Sequence, residues 1–366
     1  MNELFYAVAL TLIPKVGPVT ARNLLSYTGS AEGVFRSSRK TLNKIPGIGP
    51  QISNYILSSD ALNLAEAEMR HMERHGIQAV FCLDPAYPAR LKHFPDSPLV
   101  LFYKGNADLN PANSVAIIGT RKPSPHGLAF CEELIFGLPA YAPTIISGMA
   151  YGIDICAHRA ALRMGFPTIG ILAHGLEHLY PAAHKAIANR MIEEGGLLTE
   201  YPFSTLPEKE HFPLRNRIVA ALCDALVVVE TGVEGGSMIT VQFANDYNKD
   251  VFAVPGRPRD PHAAGCNLLI KTNRAGLLEN AQDLIDALNW EQQHQKKSIQ
   301  QQLFVELSAE EKKLVDLLRQ TEEASMDLLS AQSAMAPSQL AAILLDLEFK
   351  GVVKSLPGKR FALISA

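Results

Sequence analysis

The 366-residue chain has little tryptophan (one) and little cysteine (five). Cys82, Cys131, Cys156, Cys223 and Cys266 are widely spaced and no C-x-x-C occurs, which argues against a disulfide framework and a zinc ribbon. Neither sign of charge is in large excess: 34 Lys and Arg stand against 37 Asp and Glu, a net of −3. A surface that attracts nucleic acid everywhere is thereby excluded, and any such site must be a local concentration of charge. No apolar run approaches membrane-spanning length. The apolar stretch Leu4 to Ile13 lacks a basic lead, follows Glu3 and stops at Pro14, so it does not read as a signal peptide. The expectation is a cytoplasmic protein with no membrane partner. Gly-x-Gly-x-x-Gly and the Walker pattern are both missing, so a dinucleotide cofactor and P-loop ATP hydrolysis have no support, and no cofactor is expected. His174, His178 and His184 straddle a glycine turn and Pro181, so no single helix face presents them to a metal.

Apolar residues make up 47%, ample for a buried core, and the length suggests two or three domains. Residues 1–76 read as short helices. Within them Ile13-Pro14-Lys15-Val16-Gly17 and Ile45-Pro46-Gly47-Ile48-Gly49 repeat one pattern, each followed by helical spacing. The pair resembles the helix-hairpin-helix motifs of SAM-like domains, whose turn amides can receive a phosphate. Lys15, Arg22 and Lys44 are the nearby cations.

Residues 77–290 form the second territory. Proline-punctuated runs up to Gly105 read as strands beside a following sheet. From Asn113 on, short apolar runs alternate with helical segments: Val115–Ile118, Thr144–Ser147, Thr168–Leu172, Leu197–Thr199, Ala225–Val229 and Val251–Val254. That alternation predicts an α/β fold, a Rossmann-like doubly wound and mostly parallel sheet covered on both faces. A Gln-rich linker follows at 291–303. Residues 304–366 predict a winged helix: Ser308 and Glu311 make a capping box, a further helix begins near Pro337, and a hairpin turns at Pro357-Gly358.

Ligands of open parallel sheets bind beyond the carboxyl ends of the strands. Here those ends are followed by Gly119-Thr120-Arg121, Gly148 to Asp154, Ala173-His174-Gly175 and Gly235-Gly236-Ser237. Glycines, hydroxyls and an arginine on one rim suit an anion. Between the fourth and fifth strands, Pro213 favours a helix start that would put Arg215 and Asn216 in a first turn, with Arg217 beside them. Phosphate binding and pairing to a surface carboxylate such as Glu208 or Glu210 are both open for this arginine pair. Tyr151, Phe203 and Phe212 are candidates for stacking on bases.

Five ordered motifs carry a resemblance: Val115-Ala-Ile-Ile-Gly-Thr-Arg121, Ile146-Ser-Gly-Met-Ala-Tyr-Gly-Ile-Asp154, Phe212-Pro-Leu-Arg-Asn-Arg-Ile218, Gly236-Ser-Met-Ile-Thr240, and Pro255-Gly256 with Gly265-Cys-Asn-Leu-Leu-Ile270. Together they resemble the DprA (Smf) family of DNA-processing proteins, along nearly the whole chain. The sequence departs from that family's pattern at Tyr151, Ala173-His174, Glu177, His184 and Gly235. The resemblance implies a dimeric, non-enzymatic protein that binds single-stranded DNA, protects incoming strands in natural transformation and loads the RecA recombinase. Carried over, Arg121, Lys185, Arg215 and Arg217 would hold phosphates, while Gly148, Gly152, Gly236, Ser237 and Thr240 would supply backbone or hydroxyl donors. Cys266 to Leu278, late in the Rossmann-like part, would serve the homodimer and RecA.

A competing reading is a nucleotide-processing Rossmann enzyme such as a phosphoribohydrolase. Glu230-Thr-Gly-Val-Glu-Gly-Gly-Ser-Met-Ile-Thr240 has glycines in the right region but lacks the Pro-Gly-Gly entry of such enzymes. The winged helix has seven basic and nine acidic residues from Phe304 onward. Its second helix offers base edges little beyond Gln339, which favours a protein contact over groove reading, with Lys354, Lys359 and Arg360 on the wing as the counterweight.

Overall fold

The computed structural model describes residues 2–290 and 308–363, except 322, 334, 350, 351 and 357–359. The linker expected at 291–303 and the turn expected at Pro357-Gly358 lie outside the described residues, as does Lys359. The chain forms two compact units, divided after residue 294.

The first unit opens with six helices between Glu3 and His75. Both repeats of the Ile-Pro motif build the same device. The left-handed residue is the one after proline, Lys15 (φ 64°) in one and Gly47 (φ 80°) in the other. The glycines two residues on, Gly17 and Gly49, are extended N-caps, each followed by a proline at the first helical position (Pro18, Pro50). The helix Ala61–His75 ends at Gly76, whose φ of 63° suits its left-handed cap.

Among the described residues, nine strands follow in one sheet: β1 (Gln78–Phe81), β2 (Val100–Gly105), β3 (Ser114–Ile118), β4 (Thr144–Ser147), β5 (Thr168–Ile171), β6 (Gly196–Thr199), β7 (Ala225–Val228), β8 (Asp250–Ala253) and β9 (Gly276–Leu277). Their order is β1-β2-β6-β5-β4-β3-β7-β8-β9. β1 and β2 run antiparallel onto β6, and every pairing from β6 to β9 is parallel. The chain winds outward from β3 to β6, then returns to β3 with β7, so the topological switch lies at β3. Val115 and Ile117 pack into one core with Ile145 and Val227, while Ala116 and Ile118 pack into the other with Ile146 and Val228. Period-two alternation across a strand with both faces covered is why these runs are continuously apolar.

The six helices share one of those cores. Leu10, Leu24 and Ala65 belong to the cluster that holds Tyr87, Phe102 and Ile218. Polar groups fasten the same seam. Arg22 donates from Nε to the Ser97 carbonyl (3.0 Å), so the cation considered for a phosphate is used inside the protein. Glu68 is buried, accepts the Phe203 amide (2.7 Å), and burial pushes its pKa up. His71 and His75 stack on Phe203 with ring centroids 5.1 and 4.6 Å away, so this ring packs inside and is not available to a base.

In the second unit, Ser308 and Glu311 form the expected reciprocal cap, at 2.8 and 3.2 Å. Helices Ala309–Thr321, Met326–Ser333 and Pro337–Phe349 accompany a three-stranded sheet of β10 (Glu323–Ser325), β11 (Val353–Leu356) and β12 (Arg360–Leu363), in the order β10-β12-β11. The short strand β10 and the middle helix were not foreseen; a three-residue strand has too few residues to show an alternation. Among the described residues no helix is long and apolar enough to cross a membrane.

Replacing Glu68 with Ala leaves the Phe203 amide buried without its acceptor. The expected loss is about 1–3 kcal/mol of stability, read as a lower urea midpoint.

Candidate nucleic-acid interface

Beyond the carboxyl ends of β3, β4 and β7 lies a crevice of about 630 Å³. Its walls are the loop Gly119–Arg121, the turn containing Gly148 and Ala150, the segment Phe212–Asn216, and the loop Thr231 to Gly236 with Ser237 and Thr240. It sits where the strand order reverses, the place where doubly wound sheets bind ligands.

Arg215 forms the floor. The helix that carries it spans His211–Leu222, so Pro213 is the third helical residue and Arg215 the fifth, two residues deeper than expected. A proline is tolerated there because the first-turn N–H groups have no helical acceptor. Arg215 is only 5% exposed and donates to the Ile171 carbonyl at the end of β5. Its guanidinium crosses Gly148 so closely that a Cβ there would lie 2.6–2.7 Å from it. Gly148 therefore makes room for the arginine. Burial pulls the Arg215 pKa down to about 10, opposed by Asp154 and reinforced by Arg121. Asp154 is itself buried, accepts the Ala150 amide (3.3 Å), and is pushed up by burial while Arg215 pulls it back.

Arg121 and Lys209 are exposed cations on the walls. Lys209 was not singled out from the sequence, because a lone exposed lysine leaves no periodic or turn signature; its place two residues before a helix was the one available hint. Gly152 (φ 82°) lies beneath the Arg121 loop, and a Cβ there would be 2.2 Å from the Thr120 carbonyl. Its role is to let two loops cross, with Ile153 N–H donating to that carbonyl at 3.2 Å.

The helix Gly236–Asp246 presents its N-terminus to the crevice. Gly235 caps it without a side-chain hydrogen bond, and nothing lies within 4 Å of where a Gly236 Cβ would be. Ser237 gives its hydroxyl proton to Thr231 Oγ1 (2.6 Å), which leaves its backbone N–H and not its hydroxyl as the donor. Thr240 is buried at the same wall.

Two expected cations stand elsewhere. Arg217 is 7% exposed and paired at 2.5 Å with Glu200, whose carboxyl burial pushes up and Arg217 pulls back. It is not among the residues lining the crevice. Neither Glu208 nor Glu210 is its partner; the buried Glu200, at the end of β6, is. Lys185 is exposed at the start of the helix Lys185–Glu194, also away from the crevice lining.

Tyr180 and Phe212 meet edge to face at 5.7 Å on the wall, and Tyr180 is 49% exposed. Tyr151 is exposed and meets the His184 ring edge-on at 4.9 Å. The histidines around them are buried donors to the backbone. His174 Nδ1 faces the Gly175 carbonyl (2.9 Å) while Nε2 accepts the Tyr180 amide (3.3 Å), so the ring is neutral. His184 Nδ1 faces the Met149 carbonyl at 2.9 Å. Beneath them His158 bonds Thr168 Oγ1 (2.7 Å), whose own proton goes to the Ile145 carbonyl. Among the described residues no cluster of His, Cys, Asp and Glu is disposed to hold a metal.

Comparison with known proteins agrees with this architecture. The family model of DNA recombination-mediator protein A matches residues 78–289, a DprA winged-helix model matches 301–359, and a SAM-like helix-hairpin-helix tandem matches 8–57. Protein Smf of Synechocystis is 30% identical over 98% of both chains. The crystal structure of DNA processing protein A from Streptococcus pneumoniae superposes with a TM-score of 0.68 at 31% identity, over 80% of this chain and 99% of that one. A structure of DNA processing protein A from Helicobacter pylori, described for its single-stranded DNA binding mode, gives 0.53 at 29% identity, over 58% of this chain and 95% of that one.

Burial, then His184 and Arg215, hold the His158 pKa down at about 3. An unfolded histidine titrates near 6.5, so between those values the unfolded chain binds the extra proton and stability falls as pH drops. Urea midpoints should therefore decline from about pH 6.5 downward, and His158→Asn should flatten that decline.

Proposed function

Because the chain belongs to the DNA recombination-mediator protein A family, we propose that its crevice binds single-stranded DNA without regard to sequence, as a mediator of recombination and not as an enzyme. The observation that carries the reading is the uncapped N-terminus of the helix Gly236–Asp246 flanked by the exposed Arg121 and Lys209. Backbone N–H groups at a helix start, with cations beside them, suit a phosphate, and phosphates are what every strand shares.

In this reading Arg121, Lys209 and the amides of Gly236 and Ser237 meet phosphates directly, and Arg215 supplies buried positive potential beneath them. Gly148, Gly152 and Thr240 shape the walls that present those groups. Tyr180, Tyr151 and Phe212 offer ring faces near the phosphates, which suits sequence-tolerant stacking. Lys185 would serve a strand that leaves the crevice along its outer rim. The single-stranded DNA binding described for the Helicobacter pylori relative supports the reading.

The remaining parts take their roles from the same proposal. A homodimer would form through the late Rossmann-like segment, where β9 is an edge strand and Leu268 and Leu277 are exposed while Cys266, Leu269 and Leu278 are buried. Edge strands and exposed leucines favour association with a second copy. The RecA recombinase would be loaded from that neighbourhood, in the cytoplasm, onto strands taken up in natural transformation. The winged helix (304–366) would serve a protein contact: its helix Pro337–Phe349 carries Asp346 and Glu348, and Leu345 is 54% exposed.

Arg121→Ala should weaken binding to unrelated single-stranded oligonucleotides alike. It should also reduce the slope of log K against log salt by about 0.7, measured by filter binding at several salt concentrations. Unchanged affinity and slope would remove the crevice as the site. Arg217→Ala should act differently, costing about 3 kcal/mol of stability by stranding the Glu200 carboxylate, with the salt slope intact in a denaturation and binding series.

A further inference from the structure

In a doubly wound sheet the first βα turn ordinarily seats a nucleotide's pyrophosphate on the N-terminus of the following helix. In this chain that turn joins β3 to the helix Pro125–Phe136, and the seat is already filled from within. Glu230 follows β7, the strand next to β3 across the topological switch. It is 6% exposed, and its carboxylate reaches the helix start. Oε2 accepts the Ser124 amide at 2.9 Å and Oε1 accepts the Ser124 hydroxyl at 2.5 Å. The Ser124 hydroxyl oxygen in turn accepts the Gly127 amide at 3.1 Å. A Cβ on Gly127 would lie 2.5–2.7 Å from the Glu230 carboxyl atoms, so the glycine leaves the space that the carboxylate fills. The Glu230 carbonyl also receives the Thr120 amide (2.6 Å), tying the loop that carries Arg121 to the same residue.

We propose that Glu230 is an internal substitute for a nucleotide phosphate and sets the selectivity of the crevice: it denies the first-turn seat to pyrophosphate-bearing nucleotides and dinucleotides. This rests on the strand-binding reading of the crevice. The helix Gly236–Asp246, open at its start, lines the crevice together with Arg121 and Lys209, groups that a run of phosphates along a strand can meet. A compact pyrophosphate reaching for the first-turn helix meets a fixed negative charge and occupied donors.

The test uses the full chain, with inorganic pyrophosphate as the probe at constant ionic strength. Titration calorimetry is run on the wild type, Glu230→Ala and Glu230→Gln, with an oligothymidylate titration of the same preparations. Wild type should bind pyrophosphate weakly, through the open Gly236 helix start and the exposed Arg121 and Lys209 alone. Glu230→Ala, which empties the seat, should bind at least about tenfold more tightly, and Glu230→Gln, which keeps the volume but loses the charge, by a smaller factor. Should the alanine variant fail to fold, the glutamine variant carries the test, with a pyrophosphate-dependent rise in its melting midpoint larger than the wild type's. Pyrophosphate binding by the wild type equal to that of the variants, or no gain in any folded variant, overturns the proposal. Failure of wild-type oligothymidylate binding would instead strike the strand reading, and the two failures are separately visible.

Discussion

A guanidinium held out of water, with a carboxylate near enough to steady it, organises the rim of this sheet. Arg215 is placed by a carbonyl at the end of β5, by the charge of Asp154, and by the vacancy that Gly148 leaves in the next loop. Burying a cation is costly unless it is hydrogen-bonded and has an opposite charge nearby, and here the Ile171 carbonyl and Asp154 supply these from within the protein. The floor thus carries its charge from within the fold, while Arg121 and Lys209 stand exposed on the walls. A chain of net charge −3 can carry an anion site only by this kind of local accounting.

The carboxylates obey the same geometry in reverse. Glu230 occupies one helix start and Asp154 lies in the first turn of another, each accepting a backbone N–H of the rim loops. The helix beginning at Gly236 has no such occupant among its capping hydrogen bonds. Three helix N-termini converge on one switch point, and the acidic side chains decide which of them faces outward.

Much of this could be read beforehand, for identifiable reasons. The strand runs from Val115 to Val254 are legible because burial on both faces keeps charged residues out of them, the few hydroxyls being buried. The glycines on the rim were legible because backbone proximity requires them. The pairing of Arg217 is not legible because Glu200 lies seventeen residues away, in another element, and ion pairs of that kind leave no local pattern. The sequence sets Arg215 two residues too shallow because a proline is accepted anywhere in a first turn, so Pro213 marks a helix start only to within a few residues. Arg22 looked free for the same reason as Arg217: the carbonyl of Ser97 that holds it is seventy-five residues distant. In the Ile-Pro repeats the periodicity was visible, but the left-handed position falls on Lys15 in one copy, which a search for glycine alone passes over.

The common core of the six helices and the sheet has a consequence for how the molecule can be dismantled. The composition changes near Gly76, yet Leu10 and Leu24 lie in one apolar cluster with Phe102 and Ile218, and Glu68 closes a buried amide of Phe203. A cut at that border would strip solvent protection from strands β1 and β2 and leave a raw greasy scar on the remaining piece. The helical leader is thus the lid of the sheet's own interior, and any gene rearrangement that discards it must also repaint the surface it leaves behind.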